Sequence, residues 1–203
     1  MPYYQLVPAG PFWAIRVGYG CTVEAATTGA CPYGARTMKN SIKTRGQGSA
    51  VTLTFNVPGE LADVFDFVVA EDVLPKVLTG YGFLPGVVRT SSNTGPWDTP
   101  GSSRTVHLAD GTTAREQVTA YERPQYFGYR TDRYTFTLRH LANSATGQWW
   151  FNAQSGGTHV KWTYGFDSKR RLTAPILILF IRLQWGGYMR TCAKNVQRHF
   201  TRR

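Results

Sequence analysis

"APILILFIRLQWGGYMRTCAKNVQRHFTRR", residues 174–203, decides the fold of this chain. It starts with eight apolar residues and changes abruptly at Arg182. A membrane-spanning helix needs about 20 mainly apolar residues, so a run of this length is more typical of a core helix than of a membrane span. We therefore expect one long C-terminal helix that begins near Leu172, tolerates Pro175 in its first turn and buries the apolar run inside the protein.

The later part of this helix is predicted to have a basic side and an apolar side. Basic residues recur at multiples of four, namely Arg182, Arg190, Lys194, Arg198 and Arg202. Apolar residues recur at spacings of three or four, namely Trp185, Met189, Cys192, Val196 and Phe200. A basic side is most often simply solvated. The alternative is peripheral contact of Arg190, Lys194 and Arg198 with an anionic membrane or an acidic partner.

The composition fits one globular domain whose charge is unevenly distributed. The chain has 203 residues, 42% of them hydrophobic and 14% aromatic, and a net charge of +11. Nine Lys or Arg and no acidic residue follow Asp167, which leaves 14 basic against 12 acidic residues in the rest. Because the basicity is confined to one terminal segment, we expect no nucleic-acid binding.

Cysteine and histidine usage argues against metal sites and disulfides. The three cysteines have no CxxC spacing, and the four histidines form no HxxxH set, so we expect no metal and no cofactor. Cys192 lies on the apolar side of the last helix and is expected to pack rather than react. The N-terminus lacks the features of a secretory signal, so a cytoplasmic location is expected.

Upstream of the helix the chain divides into an irregular stretch and a region of regular elements. Residues 1–49 are punctuated by Pro and Gly, and we expect a disordered extension, with Met38 as an alternative start. Residues 50–59 alternate as a half-buried strand, and Pro75 divides the helical pattern that follows into two short helices. Six more strands with short turns are predicted between 82 and 167.

This order predicts an α+β fold in which a curved seven-stranded antiparallel sheet wraps around the long C-terminal helix. Two short helices follow the first strand. A curved sheet and one helix rarely fill the space between them, so a cavity between the two is expected. The predicted domain covers residues 50–203.

Several stretches carry a resemblance to a known superfamily. They are "FNVPGELADVFDFV" (55–68), "PGVVRTSS" (85–92), "GSSRTVHLADGTTAREQVTAYERPQYFGYR" (101–130), "GGTHVKWTYGF" (156–166) and "LQWGGYMRTCAKNVQRH" (183–199). The chain resembles the START-like, or SRPBCC, superfamily over about residues 50–200, and is most similar to its polyketide cyclase/dehydrase and lipid transport branch. The resemblance implies the helix-grip fold and a ligand cavity, but no single chemistry.

The strand alternation predicts which side chains line the cavity. The expected ligand-binding residues are Val106, Val118, Tyr129, Trp149, Phe151, Trp162, Tyr164 and, from the terminal helix, Ile178. A turn at Asp110-Gly111 that pairs Val106 with Glu116 places Arg104 and Glu116 inward as diagonal neighbours. They are the candidate catalytic or polar-binding residues, and an exposed ion pair at the rim is the alternative interpretation.

Three functions remain open at this point. The first is binding of a hydrophobic, lipid-like or polyketide-like small molecule in the cavity. The second, implied by the resemblance, is a cyclase/dehydratase-type lyase that acts by general acid–base catalysis without a metal. The third is docking of the basic helix on a membrane surface or an acidic partner. The sequence identifies neither the ligand nor the oligomeric state.

Overall fold

The computed structural model describes residues 48–135 and 137–202. Residues 1–47 lie outside this range, so the predicted disorder of the N-terminal extension and the alternative start at Met38 stay predictions. The described strands are β1 (Gly48–Val57), β2 (Gly80–Tyr81), β3 (Leu84–Pro85), β4 (Val87–Ser91), β5 (Ser103–Leu108), β6 (Thr113–Glu122), β7 (Tyr126–Asp132), β8 (Ala142–Gln154) and β9 (Gly157–Ser168).

Seven of these strands form one sheet. Its order is β1-β9-β8-β7-β6-β5-β4, and every neighbouring pair is antiparallel. The short strands β2 and β3 form a separate hairpin. The first strand therefore pairs with the last one, and the strands between them follow as a meander, which confirms the predicted seven-stranded antiparallel sheet.

Two short helices follow the first strand, as predicted. Helix α1 spans Leu61–Val69 and helix α2 spans Leu74–Val77. Pro75 lies at the start of α2, where its missing N–H does no harm. Phe65 anchors α1, with its ring 5.1 Å from that of Phe151 on β8 in an edge-to-face contact.

The C-terminal helix is continuous but not uniform. It consists of a 3₁₀ turn (Arg171–Thr173), α3 (Ala174–Phe180), a π-helical segment (Ile181–Trp185) and α4 (Gly186–Thr201). In α4 the side chains of Met189, Cys192 and Val196 are buried in the core shared with the sheet. The predicted long helix is present, and the π segment is an irregularity within it that directly precedes Gly186 and Gly187.

The predicted burial of the apolar run is wrong for most of its residues. Leu177 and Ile181 are buried, but Ile176, Ile178 and Leu179 are exposed. A helix presents only part of its circumference to a neighbouring sheet, and this run is apolar all the way round. The side that faces away from the sheet is therefore left in solvent.

By length and composition alone, Arg171–Thr201 also passes the test for a membrane-crossing helix. Its most apolar window has a mean hydropathy of 1.2, and 28% of that window is buried. One such helix is weak evidence, because core helices of globular proteins pass the same test. Here the α4 half packs on the sheet, which is the behaviour of a core helix.

The hairpin of β5 and β6 differs in register from the prediction. Arg104 pairs directly with Glu116, and Val106 pairs with Ala114. The turn is tight because the Asp110 carboxylate accepts hydrogen bonds from the N–H and the hydroxyl of Thr112, at 3.0 and 2.6 Å. The register is two residues away from the predicted one, so each side chain stays on its predicted face.

Candidate functional site

A cavity lies between the sheet, α2 and the C-terminal helix. Its volume is about 120 Å³. This volume is well above the roughly 10–15 Å³ that a single buried water molecule needs. Pockets for drug-sized ligands measure about 300–1,000 Å³, so this cavity suits a compact guest.

The cavity wall is mainly apolar. Helix α2 and the loops beside it contribute Val73, Leu74, Val77 and Leu78, and the C-terminal helix contributes Trp185, Tyr188, Cys192 and Val196. The cover over the cavity thus comes from α4 and the π segment, and not from the apolar run 174–181 that was expected to close it. An apolar wall of this kind favours a ligand with a hydrophobic body.

The sheet side of the wall is aromatic. The rings of Trp149 and Trp162, on neighbouring strands, stack with centroids 4.3 Å apart. The Tyr129 ring lies so close to the Gly147 backbone that a Cβ atom at Gly147 would overlap it. A glycine at this position therefore lets the aromatic layer lie flat on the sheet.

The polar end of the cavity is a buried ion pair. Arg104 and Glu116 are 2% and 5% exposed. Arg104 donates from Nε to Glu116 Oε2 at 2.8 Å, and its Nη2 lies 2.8 Å from the same oxygen. Its Nη1 donates to the backbone carbonyl of Glu71 at 2.6 Å, and the guanidinium carbon stands 3.7 Å from the centroid of the Trp97 ring.

These contacts leave one oxygen of the pair without a partner. Both donors of Arg104 that reach Glu116 converge on Oε2. Among the described residues nothing donates to Glu116 Oε1, and Glu116 lines the cavity. Burying an ion pair is tolerated when its remaining hydrogen-bonding capacity is satisfied. The free carboxylate oxygen is thus positioned to accept a hydrogen bond from a guest molecule.

Three tyrosines of the sheet side, Tyr129, Tyr134 and Tyr164, also line the cavity. The Thr131 hydroxyl is hydrogen-bonded to the hydroxyls of Tyr134 and Tyr164, each at 2.8 Å. Burial raises the pKa of Tyr129 and Tyr164 well above the usual tyrosine value, and the negative charge of Glu116 adds to both shifts. These hydroxyls therefore stay protonated at neutral pH and act as hydrogen-bond donors rather than as bases.

Two indole N–H groups in the wall are buried without a partner. Nε1 of Trp162 and Nε1 of Trp185 make no hydrogen bond within the described part of the chain. Burial raises the pKa of Tyr129. The indole N–H groups of Trp149 and Trp162, which lie near its hydroxyl, lower that pKa by a smaller amount because they stabilise the ionised form. A buried donor without an acceptor is costly, so a guest oxygen would be stabilising at either indole; at Trp162 it would compete with the nearby Tyr129 hydroxyl.

The remaining reactive groups give no sign of nucleophilic or metal chemistry. Burial raises the pKa of the Cys192 thiol to about 12, which keeps it protonated and unreactive at neutral pH. Within residues 48–135 and 137–202, no cluster of three or more His, Cys, Asp or Glu side chains could hold a metal ion.

Comparison with known families now places the chain. A family model described as "Polyketide cyclase / dehydrase and lipid transport" matches residues 48–201. The chain belongs to this family. The match covers the sheet, both short helices and the whole C-terminal helix, and it confirms the resemblance seen in the sequence. No curated protein matches the sequence.

Solved structures of low sequence identity share the fold of this family member. The chain is 15% identical to Ara h 8.0201, with a TM-score of 0.57. The structural match covers 73% of this chain and 97% of that one. For ginseng major latex-like protein 151 from Panax ginseng the identity is 10% and the TM-score 0.56, and the match covers 76% of this chain and 99% of that one. For the di-domain ARO/CYC BexL of the BE-7585A biosynthetic pathway the identity is 19% and the TM-score 0.57, and the match covers 77% of this chain and 52% of that one. These likenesses confirm the helix-grip fold and nothing finer.

Most of the sequence-predicted site residues lie on the cavity wall of this family member. The wall includes Arg104, Glu116, Val106, Tyr129, Trp149, Trp162 and Tyr164. Whether they bind a ligand stays a prediction.

Three predicted site residues are not on the wall. Val118 and Phe151 are packed inside the core, Phe151 beneath α1, and Ile178 is 38% exposed on the outer side of α3. Ile178 was misplaced because it was assumed that the whole apolar run faces the sheet.

Sequence reasoning also missed most of the helix side of the wall, and two tryptophans that shape the site. Trp97 lies in the loop between β4 and β5, where no periodicity indicates a direction, yet it is buried over Arg104. Trp185 was assigned to the apolar side of the helix but not to the cavity. The signal that could have found Trp97 is its composition alone, a large aromatic side chain in a loop otherwise rich in Pro, Gly and polar residues.

Proposed function

We propose that the protein binds a compact, mainly apolar ligand that carries a hydroxyl group. The apolar and aromatic wall would hold the body of the ligand, and Glu116 Oε1 would accept the hydrogen bond of its hydroxyl group. The unpaired oxygen of a buried, cavity-lining carboxylate is the observation on which this proposal rests.

The size of the cavity limits the ligand. At about 120 Å³ the cavity suits a bicyclic or short-chain molecule better than an extended fatty acid or a tetracyclic polyketide. A second polar atom on the ligand, a carbonyl or ether oxygen, would find the indole N–H of Trp162. We therefore infer an oxygenated aromatic compound rather than a plain hydrocarbon.

Native mass spectrometry of the purified full-length protein, followed by extraction, is the direct test of the ligand class. We expect a small oxygenated aromatic compound to co-purify. In addition, tryptophan fluorescence quenching compares 2-naphthol with naphthalene, which differ only in the hydroxyl group. A hydrogen bond to a charged acceptor contributes about 1.5 kcal/mol or more, so 2-naphthol should bind about tenfold more tightly.

Two variants separate the role of the carboxylate from general effects of charge. Glu116→Gln should reduce the preference for 2-naphthol, whereas Glu122→Gln, an exposed glutamate on the same strand, should leave it unchanged. Thermal unfolding of both variants shows whether the fold is intact. Equal affinity of the wild-type protein for the two probes would refute hydroxyl recognition, and failure to bind either would refute the cavity as a ligand site.

A cyclase/dehydratase-type lyase is the second candidate, favoured by the presence of Glu116 and a protonated Tyr129 in the same cavity. The carboxylate would take a proton from a methylene between two carbonyls, and the resulting carbanion would form a carbon–carbon bond to another carbonyl. The tyrosine would protonate the alkoxide. The tyrosinate would then take the remaining α-proton while the protonated carboxyl group gives its proton to the departing hydroxide, so that water leaves and both side chains are restored. Incubation with a linear triketone thioester should then give a cyclic product lighter by one water, and Glu116→Gln should abolish it.

Two other proposals come from the sequence. We propose a cytoplasmic location, which fractionation of cells that express the native gene would test. Contact of Arg190, Lys194 and Arg198 with an anionic surface is the other; all three side chains are exposed on α4.

A further inference from the structure

The outer side of the first half of the C-terminal helix, from the 3₁₀ turn through α3 into the π segment, exposes a row of large apolar side chains. Leu172, Ile176, Leu179 and Leu183 are 89%, 56%, 56% and 59% exposed. Their spacings of four, three and four residues place them on one face of the helix. Over these residues the helix rises by about 16 Å. Isolated exposed leucines are ordinary, but a contiguous row of this kind marks an interaction surface.

The hairpin of β2 and β3 widens this row. Phe83, at the tip of the hairpin, is 68% exposed, and its ring lies 6.4 Å from that of Phe180 on α3. The backbone of Gly82 packs against the Gln184 side chain, which holds the hairpin against the helix. We call Leu172, Ile176, Leu179, Leu183 and Phe83 the apolar ridge.

Unpaired basic side chains flank the ridge. Lys169, Arg170 and Arg171 precede it, and Arg182 lies within its length; all four are exposed. None of them forms a salt bridge with a carboxylate of residues 48–135 or 137–202. The sequence after Asp167 has no acidic residue at all, so nothing on the helix offsets the positive charge.

From these features we propose that the apolar ridge is a docking surface for the interface of an anionic lipid bilayer. The aliphatic and aromatic side chains insert below the headgroups, and the four basic side chains contact the phosphates. A helix that lies in the membrane interface needs an apolar face together with Lys and Arg at its polar margin, and the ridge has both. The surface is separate from the cavity, so vesicle binding and ligand binding can fail independently.

Two other occupants fit the charges less well. A second copy of the chain would bring two sets of unpaired basic residues together across an apolar contact. Residues 1–47 would bring Arg16, Arg36, Lys39, Lys43 and Arg45 but only one acidic residue, Glu24, to a surface that is already positive. An anionic bilayer, unlike either of these occupants, supplies negative charge to balance the basic side chains.

The geometry of the helix also excludes a transmembrane position for this surface. Tyr188, Met189 and Cys192 in α4 are buried within the protein, so the second half of the helix cannot be surrounded by lipid. The ridge covers only the first half. The helix therefore lies along the membrane surface in this proposal and does not cross it.

Co-sedimentation of the full-length protein with vesicles tests the proposal. Vesicles of phosphatidylcholine alone are compared with vesicles of equal parts phosphatidylcholine and phosphatidylglycerol. We expect binding to the anionic vesicles to be about tenfold stronger and to weaken at high salt. Equal binding to both vesicles, or binding to neither, would overturn the proposal.

Variants at exposed positions locate the surface without disturbing the core. Leu179→Asn with Leu183→Asn should lower the affinity for anionic vesicles about tenfold, and Arg170→Gln with Arg171→Gln should weaken both the affinity and its salt dependence. Val88→Asn, at an exposed apolar position on β4, is the matched control and should bind like the wild type. If Arg190→Gln with Lys194→Gln abolishes binding while the double leucine variant binds normally, the bilayer contacts α4 and the ridge proposal is wrong.

The same protein preparations report on the other occupants. Light scattering of the lipid-free protein should show a monomer at all concentrations. A Leu183→Cys variant should react with a maleimide at residue 183, as judged by peptide mapping. A dimer that the double leucine variant dissociates would assign the ridge to a second copy. Protection of residue 183 in a monomer would assign it to residues 1–47, and either result would overturn membrane docking.

Discussion

The two halves of the C-terminal helix have opposite relations to the rest of the protein. Helix α3 is apolar at every position, yet only Leu177 of its residues is buried. Helix α4 is far less hydrophobic in sequence, yet it buries Tyr188, Met189, Cys192 and Val196, together with the small residues beside them. The more apolar half is thus the more exposed one.

The difference shows that burial depends on pattern and position rather than on average hydrophobicity. Helix α4 confines its apolar residues to one side and places Gly187 where Tyr81 of the β2–β3 hairpin approaches closely. Helix α3 has no polar side to turn towards solvent, so part of its apolar surface is exposed wherever it packs. The π-helical segment between them marks the position where the relation to the sheet changes.

The largest expected effect concerns stability. Met189→Ala removes a fully buried side chain of α4 and should lower the free energy of unfolding by about 2–5 kcal/mol. Leu179→Ala, in the more hydrophobic half, should change it by no more than about 0.5 kcal/mol, because the side chain is already largely in water. Urea unfolding followed by tryptophan fluorescence measures both values.

The result most damaging to this comparison would be a similar loss of stability in the two variants. It would mean that α3 is covered in solution, either by another copy of the chain or by residues 1–47. Repeating the unfolding at several protein concentrations would identify the first case, since only dissociation of a dimer makes the midpoint depend on concentration.

The second effect is a pH dependence to which α4 contributes through Cys192 and to which α3 contributes nothing. Burial raises the pKa of the Cys192 thiol from 9.0 to about 12, so between these pH values the unfolded chain has lost a proton that the folded protein keeps. The unfolded state then binds fewer protons, and the free energy of unfolding falls as pH rises, by about 1.4 kcal/mol per pH unit from this group. Below pH 9 the group has no such effect.

Burial also raises the pKa of several tyrosines, so these residues add to the loss of protein stability at high pH. Cys192→Ala separates the contribution of the thiol from theirs. Unfolding free energies measured at a series of alkaline pH values should fall less steeply for Cys192→Ala than for the wild type. Leu179→Ala should leave the slope unchanged, because α3 contains no titratable residue. An unchanged slope in Cys192→Ala would show that the thiol is accessible to water in the folded protein.

The contrast between a patterned and an unpatterned segment also explains which parts of the structure could be predicted from the sequence. The sheet and the sheet side of the cavity were predictable because strand alternation has a period of two. That period assigns Val106, Trp162 and Tyr164 to one face even when the register is two residues off. Pro75 and Asp110 fix their local structures through their own side chains, so the division of the helices and the position of the turn were also predictable.

The parts that could not be predicted are those without a pattern. Trp97 reaches Arg104 from an irregular loop, and only the tertiary fold determines that contact. Ile178 belongs to a run that is apolar on every side, so no periodicity distinguishes the buried residues from the exposed ones. The cavity volume depends on the packing of α4 to within a fraction of an ångström, and no sequence pattern reports it.

The smallest expected effect distinguishes two adjacent glycines at the start of α4. Replacing a helical glycine by alanine stabilises a helix by about 1 kcal/mol where the methyl group has room. At Gly186 the nearest atoms would lie 3.4 and 3.5 Å from the new Cβ, so Gly186→Ala should gain most of this amount. At Gly187 the Cβ would overlap the Tyr81 ring, so the gain should be offset as the hairpin is displaced.

Urea unfolding gives the stability of the two variants, and hydrogen exchange of residues 80–85 reports whether the β2–β3 hairpin has moved. We expect faster exchange there in Gly187→Ala and wild-type exchange in Gly186→Ala. Equal stabilisation by both alanines, with the hairpin undisturbed, would mean that Tyr81 does not rest on the helix. In that case Phe83 would not be held beside Phe180. The exposed half of the helix would then extend further towards the C-terminus than the contacts of Gly187 indicate.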